Sequence, residues 1–519
     1  PGSAIKPIIY TAALEADNGD YYTPATILWD VPTSYDLGNG QTYTPTNFNP
    51  NQYLGNVPMR TALQQSLNIP AVKTYLDIGE QDFRQMADNL GVGFQEGSTF
   101  TIASALGTNE TSLMDLTHAY ATLANDGLYQ PLFAIQRITR ELDGSEQDVE
   151  LLPRQQPYQA VNANVAYLMQ NILSDHAARG SAFGPEGGAL AGSQFGLPNI
   201  DAVAAKTGTS QEARDLWTVG FTNNVAVGVW MGTLDNTTNV TGNLTGARAA
   251  APVWNAVMRE ALINNNPGTF VDPGGIVEDT VCIATGTQAP DPQSGSCPTN
   301  RITEVFVNGQ LPPPPSEGFV QTIDIDSWTG LRANQWCPDN VVTETFSDIN
   351  DPFAVNWLNT TQQGRNLLNR LNISVPLESP PEGECRQGQT LPTITLGFPT
   401  DGVTLNNIVS ITGRVVADDL ARWQVQYARA NTQNFQPINL TQNMQIQNDE
   451  LAQWDTTTVP NGQYTVRLEA YSQSGGFIFR TANVTVQNIQ PTATPTTAPV
   501  VAPTTAPGFT PLPFGSDGD

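Results

Sequence analysis

A chain of 519 residues, 39% of them apolar, has room for three or four folding units of about 150 residues and too many core-forming residues for disorder. Its 22 Lys and Arg against 49 Asp and Glu give a net charge of −27, which excludes the basic stripes that nucleic-acid binding requires. Charged residues make up only 14%, so the surface is a neutral coat of Asn, Gln, Thr and Ser typical of extracytoplasmic proteins, and no apolar run reaches the roughly 18 residues of a membrane helix.

Residues 1–265 are predicted to mix helix and strand. Pro7 and the apolar run Ile8, Ile9, Tyr10, Ala12, Ala13 and Leu14 predict a buried helix whose first turn holds Ser3. Met59 to Gln65 follows a helical pattern. Phe83, Met86, Ala87 and Leu90 share one helical face ahead of Gly91, and Leu113, Leu116, Ala119, Tyr120 and Leu123 repeat that pattern ahead of Gly127. Val165, Leu168, Met169 and Ile172 do so again. The period then changes: Ala202 to Lys206, Leu216 to Phe221 and Val225 to Met231 read as adjacent strands, with Asn223-Asn224 as a turn, and Ala250 to Leu262 as a closing helix.

Residues 266–390 turn to Pro, Gly, Asn and Thr, with Pro312 to Pro315 as rigid punctuation. They hold an internal repeat, the CPxNxxTExF pattern of Cys297 to Phe306 recurring as Cys337 to Phe346, each copy preceded by a Thr-Gly pair, Thr285-Gly286 and Thr329-Gly330. The repeat predicts a pair of small disulfide-tied modules of turns and strands. Residues 391–488 carry short alternating runs, Trp423, Val425 and Tyr427, then Tyr464, Val466, Leu468 and Ala470, separated by Asp-Gly, Asn-Gly and Gly-Gly turns, the pattern of an immunoglobulin-like β-sandwich. Residues 489–519, rich in Pro and Thr, have no core-forming pattern and are expected to be disordered or a stalk.

All four cysteines, Cys282, Cys297, Cys337 and Cys385, fall in the middle region without the spacing of a zinc site. An even count in an exported chain favours two disulfides; three pairings are open, and nearest neighbours, Cys282 with Cys297 and Cys337 with Cys385, are the pairing expected against the alternative of reduced, buried thiols.

Chemistry concentrates on lysine, of which the chain has only three, Lys6, Lys73 and Lys206; the other cations are arginines, which cannot lose a proton. Ser3-Ala4-Ile5-Lys6 places hydroxyl and amine at i,i+3 on one helical face, though SxxK arises roughly once by chance in a chain this long. Lys206-Thr207-Gly208-Thr209 has a chance of about one in a hundred and follows an apolar strand run. There Gly208 removes a side chain where a ligand lies against the strand, and the lysine and two hydroxyls make a carboxylate site. Ser66-Leu67-Asn68 ends a helical pattern ahead of Pro70 and completes the set SxxK, SxN and KTG in that order.

With these three motifs, with Pro1-Gly2-Ser3 running into Lys6-Pro7, with Ala105 to Thr108, with Tyr120 to Gly127 and with Gly246 to Trp254, the first half of the chain resembles the transpeptidase domain of class A penicillin-binding proteins. The resemblance implies a mixed α/β fold of the penicillin-binding type and a D,D-transpeptidase that cross-links peptidoglycan through a serine acyl-enzyme. It implies Ser3 as nucleophile, Lys6 as general base, Ser66 as proton relay to the leaving amine, and Asn68 holding the substrate amide. Lys206, Thr207, Gly208 and Thr209 would bind the terminal carboxylate of a D-Ala-D-Ala stem peptide, and the Ser3 and Thr209 N–H groups would form the oxyanion hole. The partners implied are stem peptides, lipid-linked precursors and β-lactams, with no nucleic acid; no cofactor or metal is called for. The family places a membrane helix, a glycosyltransferase domain and two sheet strands before the nucleophile. None precedes Ser3 in this sequence, so the expectation is a fragment of a longer, membrane-anchored envelope protein.

A D,D-carboxypeptidase shares these residues, and a non-catalytic β-lactam-binding or wall-binding protein is the alternative of another class; a class A β-lactamase fits less well, with no deacylating glutamate assignable. His118 and His176, the only histidines, fall in or at the end of amphipathic helices and are expected to be structural, and Lys73 is expected on a solvated helix face.

Overall fold

The computed structural model describes residues 1–16, 21–135, 137–149, 155–175, 202–210, 213–233, 244–293, 297, 299–373 and 377–488. His176, Pro298 of the repeat and the tail 489–519 lie outside the described residues. The chain separates into two compact units, one of residues 1–324 with 343–381, the other of 325–342 with 382–519.

The first unit is built around α1 (Lys6–Glu15), in which every residue from Lys6 to Leu14 is buried. A helix enclosed on all sides can hold a polar side chain only if the surroundings supply partners, which is the condition Lys6 meets. Around it lie α2 (Met59–Gln64), α3 (Asn68–Asn89, interrupted at Gly79), α4 (Leu113–Ala124) and α5 (Ala163–Ser174). Their apolar faces, including Leu63, Val72, Leu116, Leu123 and Met169, share one large core with α1. A short antiparallel pair, β1 (Ile27–Asp30) and β2 (Gly55–Pro58), leads into α2.

The strands predicted from the change of period form an antiparallel sheet in which β4 (Asp215–Phe221) lies between β3 (Ala204–Thr209) and β5 (Ala226–Gly232). Alternation along β3 divides it between two cores: Ala204 joins the core of α1, α4 and α5, whereas Ala205 packs with Trp254 and Met258 of α6 (Ala251–Ala261) on the other face. By the same alternation Lys206 faces the α1 side.

Residues 276–324 and 343–371 continue this unit. An antiparallel pair, β6 (Ile276–Cys282) and β7 (Arg301–Val307), carries the first repeat copy and the disulfide Cys282–Cys297. Two helices that the Pro- and Asn-rich texture concealed, α7 (Pro352–Thr360) and α8 (Gln362–Leu371), follow the second copy. Asp351 caps α7 through the Phe353 and Ala354 N–H groups with Pro352 at N1, and Ala354, Trp357, Leu358, Leu367, Leu368 and Leu371 bury against Trp29 and Val31.

The second unit is a β-sandwich. One sheet is β9 (Ile408–Val416) between β8 (Thr393–Phe398) and β11 (Ile446–Asp455). The other contains β10 (Leu420–Arg429), β12 (Gly462–Ser472) and β13 (Phe477–Val486), with β12 in the middle. Ile411, Val415 and Trp454 of the first sheet share a core with Val425, Val466, Leu468 and Val484 of the second. The Tyr464 hydroxyl donates to the Pro460 carbonyl at 2.8 Å, a corner device of immunoglobulin-type sandwiches. The disulfide Cys337–Cys385 belongs to this unit, so both bridges join the nearest neighbours expected.

Candidate active site

Ser3 lies in a 3-10 turn, Gly2–Ile5, that runs directly into α1, with the Lys6 N–H donating to the Ser3 carbonyl. The i,i+3 spacing keeps Ser3 and Lys6 on the same side of this turn. Two contacts fix this turn. The Tyr120 hydroxyl, buried in α4, donates to the Ala4 carbonyl at 2.7 Å. Gly2, at φ +58°, lies flat on the Thr209 peptide: a Cβ there would come within 2.5 Å of the Thr209 carbonyl oxygen, so only glycine brings the Ser3 turn against the end of β3. Gly208 makes the complementary approach from the strand, where a Cβ would overlap the Pro1 carbonyl.

Ser66 lies in the sharp turn between α2 and α3, and Asn68 opens α3. Ser66 has φ +57°, a left-handed conformation that costs a non-glycine residue about 1–2 kcal/mol. The turn delivers one residue to two amines: the Lys6 Nζ donates to the Ser66 carbonyl at 2.7 Å, and the Lys206 Nζ donates to the Ser66 Oγ at 2.8 Å. Lys6 also donates to the Leu67 carbonyl at 3.0 Å and to Asn68 Oδ1 at 2.7 Å. The Asn68 Nδ2 is committed to the Thr46 carbonyl at 2.7 Å.

On β3, Lys206 and Thr207 are buried and Thr209 is half-exposed; the Lys206 Nζ also donates to the Thr207 carbonyl at 3.0 Å. The Thr209 Oγ1 accepts the Gly246 N–H at 3.0 Å, leaving its own proton to donate elsewhere. The burial is graded. Lys6 is wholly buried and Lys206 3% exposed, whereas Ser3, Ser66, Asn68 and Thr209 are half-buried above them. Two amines thus sit beneath a rim of hydroxyl and amide groups open to a substrate.

Burial holds the Lys6 amine well below its usual value of 10.5, the Lys206 charge pushes it the same way, and Asp30 opposes both. An ammonium here donates to three acceptors; the neutral amine donates to two and has a lone pair to receive a proton. The arrangement suits abstraction of a proton from a hydroxyl and its return to a leaving group.

The structure therefore brings Lys6, Ser66, Asn68 and Lys206 into one hydrogen-bonded network and sets the Ser3 turn beside Gly208 and Thr209. His118 is buried against Tyr129 and its Nε2 pairs with the Gln130 carbonyl at 2.8 Å, a structural role. Lys73 departs from the solvated position expected of it: α7 covers that face, and its Nζ donates to the Trp29 carbonyl at 2.8 Å and pairs with Asp351 at 2.5 Å. Sequence reasoning also missed Arg60 on α2, which holds Glu304 of the first repeat copy through both carboxylate oxygens and Asn171 Oδ1 at 2.6 Å, and so braces the helix that leads to Ser66. Among the described residues no group of three His, Cys, Asp or Glu could hold a metal ion.

The sequence profile described as penicillin binding protein transpeptidase domain matches residues 1–259. Penicillin-binding protein 1A of Clostridium botulinum is 29% identical over 354 residues, 66% of this chain and 40% of that protein. Penicillin-binding protein 1A of Neisseria lactamica is 31% identical over 281 residues, 53% of this chain and 33% of that protein. The chain thus spans well under half the length of these curated relatives. The crystal structure of penicillin-binding protein 1A from Haemophilus influenzae matches with a TM-score of 0.51 at 23% identity, covering 60% of this chain and 48% of that one, a likeness of fold.

Proposed function

Through residues 1–259 the chain belongs to the penicillin-binding protein transpeptidase family, and on that premise we propose that it is a peptidoglycan D,D-transpeptidase acting through a serine acyl-enzyme. The observation that carries the reading is the network in which the two motif lysines meet the SxN turn, Lys6 on Asn68 Oδ1 at 2.7 Å and Lys206 on Ser66 Oγ at 2.8 Å.

In this reading Lys6, neutral, takes the Ser3 hydroxyl proton as Oγ attacks the carbonyl carbon between the two D-alanines of a stem peptide. The oxyanion that forms is met by the Ser3 and Thr209 N–H groups. As the carbon–nitrogen bond breaks, the proton passes from Lys6 through the Ser66 hydroxyl to the departing amine, and the acyl group stays on Ser3. Lys206, Thr207 and Thr209 hold the terminal carboxylate, Gly208 leaves room for it, and Asn68 orients the amide. An amine of a neighbouring stem peptide then attacks the ester, and Ser3 recovers its proton. A β-lactam stops at the ester. The reading needs no cofactor. The two disulfides support an oxidising, extracytoplasmic setting at the cell envelope.

The test is labelling with a fluorescent penicillin and mapping of the labelled peptide. Label is expected on Ser3 and absent in Ser3→Ala. Label on another serine, or undiminished label in the variant, would overturn the assignment. With a stem peptide as substrate, product formed only when an acceptor amine is present supports transpeptidation, and release of free D-alanine in water alone would make the chain a carboxypeptidase.

A further inference from the structure

Asp30 closes β1 in an apolar run, Leu28-Trp29-Asp30-Val31, and is wholly buried, although it belongs to none of the three motifs. Its Oδ1 accepts the Asn47 Nδ2 at 2.7 Å and its Oδ2 the Leu54 N–H at 2.9 Å. The Asn47 Oδ1 accepts the Asn68 N–H at 2.9 Å, and the Asn68 Oδ1 accepts the Lys6 Nζ at 2.7 Å. A carboxylate is acceptor-only, so it obliges Asn47 to turn its amide nitrogen inward and its carbonyl toward the SxN turn. Asp30 thereby fixes the Asn47 carbonyl on the Asn68 backbone N–H, and Asn68, held there, presents its Oδ1 to the amine while its Nδ2 holds the Thr46 carbonyl.

We propose that Asp30 is a positioning residue for Lys6: through Asn47 it holds Asn68, an acceptor of the Lys6 amine, and its carboxylate is the negative charge that acts on that amine. The proposal rests on the reading of Lys6 as general base. The charged groups that act on Lys6 are Lys206 from β3 and Asp30 from β1. Burial raises the Asp30 carboxyl above its ordinary value; the hydrogen bonds from Asn47 and Leu54 and the charges of Lys6 and of Lys73 from α3, itself paired with Asp351 at the start of α7, oppose that rise. The titratable group that faces Asp30 from α1 besides Lys6 is Tyr10. Burial and Lys206 weaken Lys6 as a base, and a base must keep enough proton affinity to take a serine proton. Asp30 is the counterweight.

The chain offers a direct readout, because three lysines give three signals in protein labelled with ε-13C lysine, and Lys6→Arg identifies the one that belongs to Lys6. In Asp30→Asn, which keeps the shape and an acceptor but removes the charge, the Lys6 titration midpoint should fall below that of the wild type, and the acid limb of penicillin acylation should move to lower pH with it. Asp30→Glu, which keeps the charge, should hold the midpoint close to wild type. An unchanged Lys6 midpoint in an Asp30→Asn protein with a wild-type melt would overturn the proposal, since loss of packing alone lowers the rate without moving the titration. If Asp30→Asn does not melt cooperatively, Asp30→Ser removes the same charge with a smaller side chain and is read in the same way. Wild-type acylation by Lys6→Arg would overturn the base role itself, and with it the role of Asp30, a result told apart because it does not involve Asp30.

Discussion

Replacing Lys6 by arginine keeps the charge and most of the reach of the side chain and removes the ability to be neutral. In the wild type the amine, wholly buried with three acceptors at 2.7, 3.0 and 2.7 Å, has its pKa pushed well below 10.5. If Lys6 is the general base proposed, the neutral amine is the active form, and acylation should rise with pH through the Lys6 pKa and fall on the acid side of it. The guanidinium of the variant has no such transition. A general base contributes about 10²–10⁴ in rate, equivalent to about 3–5 kcal/mol of barrier, and that is the loss expected in the second-order acylation rate with a fluorescent penicillin. The guanidinium is also larger than the space it enters. Overpacking should lower stability by about 1–3 kcal/mol, a fall of several degrees in the melt, so rates are compared well below the transition. If the variant acylates within a few fold of wild type and keeps the same acid limb, proton transfer by Lys6 is refuted and the activation of Ser3 must come from elsewhere.

Arg60→Met should destabilise the first unit by about 3–5 kcal/mol in urea unfolding, because Glu304, only 4% exposed, would be left buried and unpaired, while the double variant Arg60→Met with Glu304→Leu should recover most of the loss; a single variant as stable as wild type would refute the clamp. Ser66→Gly should melt at or above the wild-type temperature, since glycine relieves the left-handed backbone, and yet turn over stem peptide at least about 100-fold more slowly for want of the hydroxyl. A normal turnover would remove Ser66 from the proton path. Closing loops of 15 and 48 residues, the disulfides should contribute about 3 and 4 kcal/mol by chain entropy, so changing Cys337 and Cys385 to serine should lower the melt of the second unit more than Cys282 and Cys297 to serine lowers that of the first; equal or reversed losses would show that native-state contacts set the effect.

The motifs were legible because each needs few residues at fixed spacing, whereas the sequence marked β3 only as a strand, and its division between two cores appears once α1, α4 and α5 pack on one face and α6 on the other. Helices α7 and α8 left a signal that composition masked: Asp351-Pro352 is a cap with proline at N1, and Trp357, Leu358, Leu367, Leu368 and Leu371 keep helical spacing inside a stretch otherwise rich in Asn and Thr. The position of Lys73 could not be read without them, because a helix face is solvated only until another element covers it. Arg60 with Glu304 and Asp30 with Asn47 pair residues that are 244 and 17 positions apart, and nothing local marks either arginine or aspartate as buried, save that Asp30 stands alone among apolar neighbours.

The two repeat copies show how one sequence pattern takes on different work within each unit. In the first unit, the turn at Ala284 to Gly286 is held against β1 and β2, with the Asn56 side chain donating to the Ala284 carbonyl and Gly286 lying on the Ala25 carbonyl. In the second, the corresponding turn carries Trp328, whose indole N–H donates to Asp419 at 2.8 Å and whose ring joins the sandwich core, while Ser327 and Phe477 exchange two hydrogen bonds. Position 282 is a cysteine that closes its own copy through Cys297. Its counterpart Asp326 instead accepts from the Thr329 N–H and hydroxyl and ties the same turn by hydrogen bonds. That exchange leaves Cys337 without a partner in its copy, and the structure supplies Cys385 from the strand-free stretch that precedes the sandwich. The turn is thus preserved by two different chemistries, covalent where it lies against Ala25 and Asn56 and hydrogen-bonded where it seats a tryptophan in a core. What the duplication conserves is the backbone shape of the turn, and the residue placed at its tip decides which body it grips.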